Sequence, residues 1–249
     1  MRFLRGWMVL VTSFALPLLG HADDKTDIET IIDRSIKAQS GDRVKQERLL
    51  KVEATLSGSL NTADGAADAN QELTLNLPTQ LRANFQLATA DRKIAVIIAS
   101  TKETGWRAFN GEVVDLSSVE AEDIRMEVHV HWLQTLVSLN DSRLTLTKMP
   151  STKIQQLPVD VIRVSMKNRP DVDLFFHSDS SMLIKTSFKG REAGNDIIKD
   201  TYYSQYKAFE GSLFPTKIVM IHNGRPAASW TVKNVRLLTA IEPTKFTKP

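Results

Sequence analysis

Apolar residues fall at helical spacing near the start of the chain and at alternating spacing over most of the remainder. Between Thr26 and Gln39, Ile28, Ile31, Ile32 and Ile36 share one face with Ser35, which predicts an amphipathic helix. Thr26 and Glu29 stand at capping-box spacing, and Ser40-Gly41 offers a stop, because glycine accepts the left-handed backbone that ends a helix. Period two then takes over. Leu49–Leu60 reads as a strand, Asn61–Asn70 as a polar, alanine-rich loop, and Leu73–Leu77 as a second strand broken by Pro78. Leu81, Ala83, Phe85 and Leu87 alternate with polar residues, Lys93–Ala99 is apolar on both faces, and Gly105–Phe109 and Glu112–Leu116 flank Asn110-Gly111, a strong hairpin signal.

Ser117–Leu139 reads as a second helix. Ser117 and Glu120 repeat the capping-box spacing, and Ile124, Val128, Trp132 and Leu136 run beside Met126, Val130, Leu133 and Val137. The alternation in Met126–Trp132 leaves a strand as the alternative there. Seven more strands come after it: Arg143–Met149, Val159–Met166, Asp171–His177, Met182–Lys189, Lys199–Phe209, Leu213–His222 and Ala227–Leu238. Asn223-Gly224 marks a second hairpin. The fold class expected is mostly β (α+β): one large antiparallel sheet of roughly ten strands, in the range where open sheets curl, with an N-terminal and a central helix.

The first 22 residues change the picture of charge and compartment. Arg2 and Arg5 precede an apolar run from Gly6 to Leu19, too short to span a bilayer comfortably, and Gly20-His21-Ala22 places small residues at the cleavage positions. This predicts a secretory signal cleaved after Ala22, a mature domain over residues 23–249 and a periplasmic location. The formal charge of +3 loses Arg2 and Arg5 with the signal, and the near-neutral remainder gives no electrostatic case for nucleic acid. The absence of cysteine excludes disulfides, thiolate metal sites, a cysteine nucleophile and a lipid anchor on the chain itself.

Catalytic motifs are missing: no G-x-S-x-G, S-x-x-K, H-E-x-x-H, P-loop or G-x-G-x-x-G occurs. His129 and His131 form the one close histidine pair, and they would share a face only on a strand; on a helix they are expected to be rim residues flanking the apolar stripe. Glu120, Glu122, Asp123 and Glu127 read as favourable charge in the first turns of a helix rather than as a cation site. Asp171 and Asp173 read as solvent-facing. Tyr202, Tyr203, Tyr206, Trp106, Trp132 and Trp230 serve either ordinary packing or an apolar cavity. The expectation is therefore of a binding protein that is not an enzyme and needs no cofactor or metal.

Several stretches, in order, resemble one family. They are the signal followed by helix Thr26–Gln39; Leu77-Pro78 leading to Leu81-Arg82-Ala83-Asn84-Phe85; Gly105-Trp106-Arg107-Ala108-Phe109-Asn110-Gly111 before a helix; Asp200–Gly211 with Phe214-Pro215-Thr216; and the closing Lys245–Pro249. Together they resemble the LolA-like periplasmic outer-membrane lipoprotein-sorting (lipoprotein carrier) family, in a divergent, longer form. The resemblance implies an incomplete barrel closed by helices as a lid, and an apolar cavity for an acyl lipid or lipoprotein. It also implies contact with inner- or outer-membrane envelope proteins. An arginine precedes the proline turn in the carriers; here Asn76-Leu77 stands there, and Arg82 lies on the next strand.

The wall residues expected from this reading are Phe85, Leu87, Val96, Ile98, Trp106, Phe176, Phe188 and Trp230, and the lid residues Ile28, Ile31, Ile32, Leu133 and Leu136. A shift of one residue in register would move a strand's whole set to the other face. The alternative functions are an envelope sensor or protein-interaction module on the same fold and, third, a secreted metal-dependent or other hydrolase built on His129, His131 and nearby carboxylates.

Overall fold

The computed structural model describes residues 21–62, 65–192 and 195–249. The expected secretory signal falls almost wholly on residues 1–20, outside the described residues. Three helices occur among the described residues: α1 (His21–Ser40), α2 (Arg43–Glu47) and α3 (Ser118–Gln134). The first six strands are β1 (Lys51–Thr62), β2 (Gly65–Asn76), β3 (Gln80–Ala88), β4 (Lys93–Ser100), β5 (Gly105–Phe109) and β6 (Glu112–Asp115). After α3 come β7 (Leu144–Ile154), β8 (Leu157–Met166), β9 (Val172–His177), β10 (Leu183–Glu192), β11 (Asn195–Phe209), β12 (Ser212–His222) and β13 (Arg225–Leu237).

The thirteen strands form one sheet in the order β6-β5-β4-β3-β2-β1-β13-β12-β11-β10-β9-β8-β7. Each half is a meander, and the two meanders join where β1 pairs antiparallel with β13. The two edges are therefore β6 and β7, consecutive in the chain but at opposite ends of the sheet. The segment between them must cross the whole sheet, and that segment is α3. It touches β4 in one half and β10 in the other. The sheet curls to permit this, bringing Phe85 of β3 and Trp230 of β13 to 6.3 Å between ring centroids with two strands between them.

Both asparagine–glycine hairpins form, with positive φ at Asn110, Gly111, Asn223 and Gly224 as a tight hairpin turn requires. The described residues of the expected loop over Asn61–Asn70 belong instead to strands β1 and β2. β1 and β2 stay in register to Thr62 opposite Gly65, and buried Ala67 and Ala69 alternate with exposed Ala66, Asp68 and Asn70. Small apolar residues there satisfy the alternation that bulkier ones announce elsewhere.

Helix α1 begins before Thr26, so the Thr26–Glu29 spacing lies inside the helix and not at its start. Its end is as expected: Gly41 has φ +85 and its N–H returns to Lys37 O at 3.1 Å. Ile28, Ile31, Ile32 and Ile36 are buried against β7 and β12. Helix α3 carries the complete Ser117–Glu120 capping box, which settles Met126–Trp132 as helix. It stops at Gln134, short of Leu139, because Leu136 is left-handed (φ +60); a 3₁₀ turn over Val137–Asn140 comes next. Burial of Leu136 to 1% exposure offsets that backbone strain.

Alternation also makes a smaller cluster on the convex face. Trp106 pairs with Ala99 and Ala108 with Ile97, all of opposite parity to Ile98. The C-terminal turn Pro243–Phe246 covers them, with Trp106 Nε1 donating to Phe246 O at 3.0 Å and Arg82 donating to Lys245 O at 2.8 Å.

Candidate functional site: a cavity between helix α3 and the sheet

Helix α1 lies flat on the second half of the concave face, whereas α3 stands across its mouth. Between α3 and the sheet is a cavity of about 420 Å³. That is within the range of roughly 300–1,000 Å³ typical of sites for small molecules. Its floor is aliphatic, from Leu56, Leu73, Leu75, Ala83 and Val232, with aromatic Phe85, Trp230, Phe188 and Phe214 around it. The period of two puts these side chains on one face, and the curl turns that face inward.

Of the expected wall residues, Phe85, Ile98, Phe188 and Trp230 line the cavity. Leu87 packs at the rim of the core without lining the cavity, and Val96 lies beside Phe85 on β4 without reaching it. Phe176 is buried in the main core away from the cavity. Trp106 is on the opposite face of the sheet, because its pairing with Ala99 fixes the parity of β5. The expected lid residues do not line the cavity either. Ile28, Ile31 and Ile32 are packed under α1, and Leu133 and Leu136 are sealed in the core at 0% and 1% exposure. The lid surface that does face the cavity is another stripe of α3: Ile124, Glu127, Val130, His131, Gln134 and Thr135.

That stripe makes one corner of the cavity polar. Gln134 Nε2 donates to Tyr203 Oη at 2.6 Å, and Tyr203 Oη and Thr186 Oγ1 share a hydrogen bond of 3.0 Å. His131 lines the cavity one turn before Gln134 on the same stripe, and burial holds its pKa below the ordinary value, so the ring is neutral at pH 7. Burial likewise pushes the Tyr203 and Tyr206 hydroxyls well above the usual phenol range. Tyr206 donates to Leu183 O. Glu127 accepts from Lys199 Nζ at 2.6 Å, and Lys199 also sits over the Phe188 ring at 5.9 Å. Glu127 and Phe188 line a second, polar groove on their far side, together with Lys199, Lys189, Arg191 and Asp196.

His129 is a buried residue rather than a rim one. It packs against Trp132 at 5.8 Å, and burial with Arg169 and Arg143 nearby pushes its pKa down to about 4. His129 and His131 point different ways, as the helix dictates. The carboxylates of the acidic run have separate tasks: Glu120 caps α3, Glu122 pairs with Arg125 and Arg169, and Glu127 pairs with Lys199. Asp173 is bound by Arg163 at 2.7 Å instead of standing free in solvent. Among the described residues, no group of three potential ligands is arranged to hold a metal ion, and no helix is long and apolar enough to cross a membrane.

Sequence reasoning passed over Gln134, Thr186, Thr201 and Lys199. The signal was present for one of them: Glu127, His131 and Gln134 stand at i, i+4 and i+7, a polar stripe inside an otherwise apolar helix.

No family model matches the chain, and no curated protein matches its sequence. Solved structures do share its fold. A putative outer membrane lipoprotein-sorting protein domain from Vibrio parahaemolyticus matches with a TM-score of 0.51 at 14% identity, over 82% of this chain and 94% of that one. A LolA superfamily protein from Nitrosomonas europaea matches with a TM-score of 0.55 at 12% identity, over 88% and 97%. A DUF1329 family protein from Desulfovibrio piger gives 0.54 at 9% identity, over 88% and 97%. The fold expected from the LolA-like resemblance is thus the fold observed: the chain has the architecture of the LolA superfamily structures.

Proposed function

We propose that the protein is a periplasmic binding or carrier protein that holds the acyl chain of a lipid or lipoprotein in the cavity under α3, without catalysis. In this reading residues 1–22 are the secretory signal and residues 23–249 form one domain. The observation that carries the reading is the cavity itself, walled mostly by aliphatic and aromatic side chains. Each acyl CH₂ moved from water into such a wall contributes about 0.8 kcal/mol. The fold shared with a lipoprotein-sorting domain supports the same reading. The residues we assign to the acyl site are Phe85, Ile98, Phe188 and Trp230 from the sheet, with Ile124 and Val130 from α3.

Trp230 lines the cavity, whereas Trp106 is on the convex face and Trp132 is packed on His129. A brominated acyl chain should therefore quench the fluorescence of Trp230 alone. Trp230→Phe should abolish the quenching, and Trp106→Phe should leave it in place. Quenching that persists in Trp230→Phe, or none in the unaltered protein, contradicts the assignment.

A further inference from the structure

The polar corner restricts which amphiphile the cavity takes. No lysine or arginine lines the cavity among the described residues, and its one ionised lining group is the Glu127 carboxylate. That carboxylate is already bound by Lys199, whose ammonium lines the outer groove instead. A charged head drawn into the cavity would lose its hydration and gain no free counter-charge, so charged heads are disfavoured there.

Uncharged polar groups are provided for. Gln134, Tyr203 and Thr186 form a connected hydrogen-bond chain that opens on the cavity at Gln134 and Tyr203, with His131 and Thr201 lining the cavity beside it. The His131 imidazole is neutral, so one of its ring nitrogens can donate and the other can accept a hydrogen bond. The Tyr203 hydroxyl has donor and acceptor capacity within the same row. Farther along the same side, Gln46 donates to Gln39 Oε1 at 2.6 Å and to Thr135 O at 2.9 Å. It is fully buried and leaves its own Oε1 without a partner. Gln39 and Thr135 both line the cavity, so this carboxamide pair extends the uncharged polar strip. A helix that served only to cover an apolar chain would gain from leucine at these positions.

We infer that this strip is a head-group site for amphiphiles whose polar part is uncharged and hydrogen-bonding, such as an ester, an amide or a hydroxyl, and that the site turns away anionic heads. The inference rests on the acyl-binding reading and deepens it. His131, Gln134 and Tyr203 touch the head, and the aliphatic floor takes the chain.

The test compares ligands with one alkyl chain and different heads: monolauroylglycerol, dodecyl phosphate and dodecyltrimethylammonium, each displacing a cavity-bound fluorescent probe below its micellar concentration. The expected result is that monolauroylglycerol binds at least about tenfold more tightly than either charged ligand, a difference of about 1.4 kcal/mol. In His131→Phe and Gln134→Leu the preference should collapse toward equality while displacement by the alkyl chain persists. Gln134→Leu leaves Tyr203 its partner Thr186, so the variant orphans no buried hydroxyl. Equal affinities in the unaltered protein, or a preference that survives both substitutions, overturn the head-group site and leave the acyl cavity standing. Failure of all three ligands to bind overturns the acyl cavity, and the head-group site with it.

Discussion

The face that α1 turns to the sheet is made of Ile28, Ile31, Ile32 and Ile36, with a serine whose hydroxyl is returned to Ile31 O of the same helix at 2.8 Å. The face that α3 turns to the sheet carries Glu127, His131 and Gln134 together with Ile124 and Val130. Both helices cover one concave surface. One satisfies it with aliphatic volume and reaches the cavity only at its last turn, through Gln39; the other stands off along its length, over a cavity of about 420 Å³. The difference separates a packing element from a lid. Burying polar groups costs free energy unless they are partnered, so a helix kept only for stability would not carry three on its inner stripe. α1 is held by its isoleucines and by ion pairs at its outer edge, Asp27 with Lys148 and Arg34 with Asp160. α3 is held by a cap at one end, a buried Leu133–Leu136 anchor at the other and the Glu127–Lys199 pair between.

The largest effect expected is on α1. Ile32→Ala should destabilise the protein by about 2–5 kcal/mol, read from chemical denaturation, because it opens a hole in packed core. It should leave the relative affinities for differently headed ligands unchanged. An equal change in those affinities would erase the distinction between the two helices.

Next in size is the effect of acid. His129 is neutral when folded, with its pKa pushed down to about 4, and in the unfolded chain it titrates near 6.5. Below pH 6.5 the unfolded state takes up the proton first, so stability falls from pH 6.5 toward pH 4 by about 1–3 kcal/mol and is fully present above 6.5. His131, with a pKa lowered for the same reason, adds to that slope. Replacing both by glutamine should flatten it, as urea titrations across the window would show.

Lys199→Met should cost about 1–2 kcal/mol, because it removes a hydrogen bond to a charged group and leaves the half-buried Glu127 uncompensated. It should also weaken the exclusion of the cationic ligand, since Glu127 is then free to pair with it. The smallest effect expected is that of Ser117→Ala, about 1 kcal/mol from the loss of the cap on α3, with exchange of the first-turn amides speeding up while those of α1 keep their protection.

Much of the sheet was legible in the sequence because local rules govern it. Asn110-Gly111 and Asn223-Gly224 encode their turns in two residues, and the alternation through Leu81–Leu87 encodes a face. Trp106 shows where such reading stops. Alternation says that Trp106 and Ala108 share a face, but which face is set by the pairing of Ala99 with Trp106 and by a C-terminal turn 140 residues away. Leu133 and Leu136 show a second limit. A helical stripe identifies which residues are buried, but the choice between core and cavity wall depends on how far the helix stands from the sheet. The polar strip was hidden for a third reason. Gln134 and Tyr203 are ordinary apart, and Gln46 is a short-helix residue; they become a site only when the curled sheet brings α3 beside β11.

The central claim is that the cavity under α3 holds an acyl chain. Native mass spectrometry of the protein purified from a periplasm, with lipid extraction of the same sample, tests it most directly. The account predicts a co-purifying acyl species at about one per protein, exchangeable with added monoacylglycerol. A clean unliganded mass that takes up neither phospholipid, lipopeptide nor monoacylglycerol contradicts it, and transfers the fold to the alternative of an envelope interaction module.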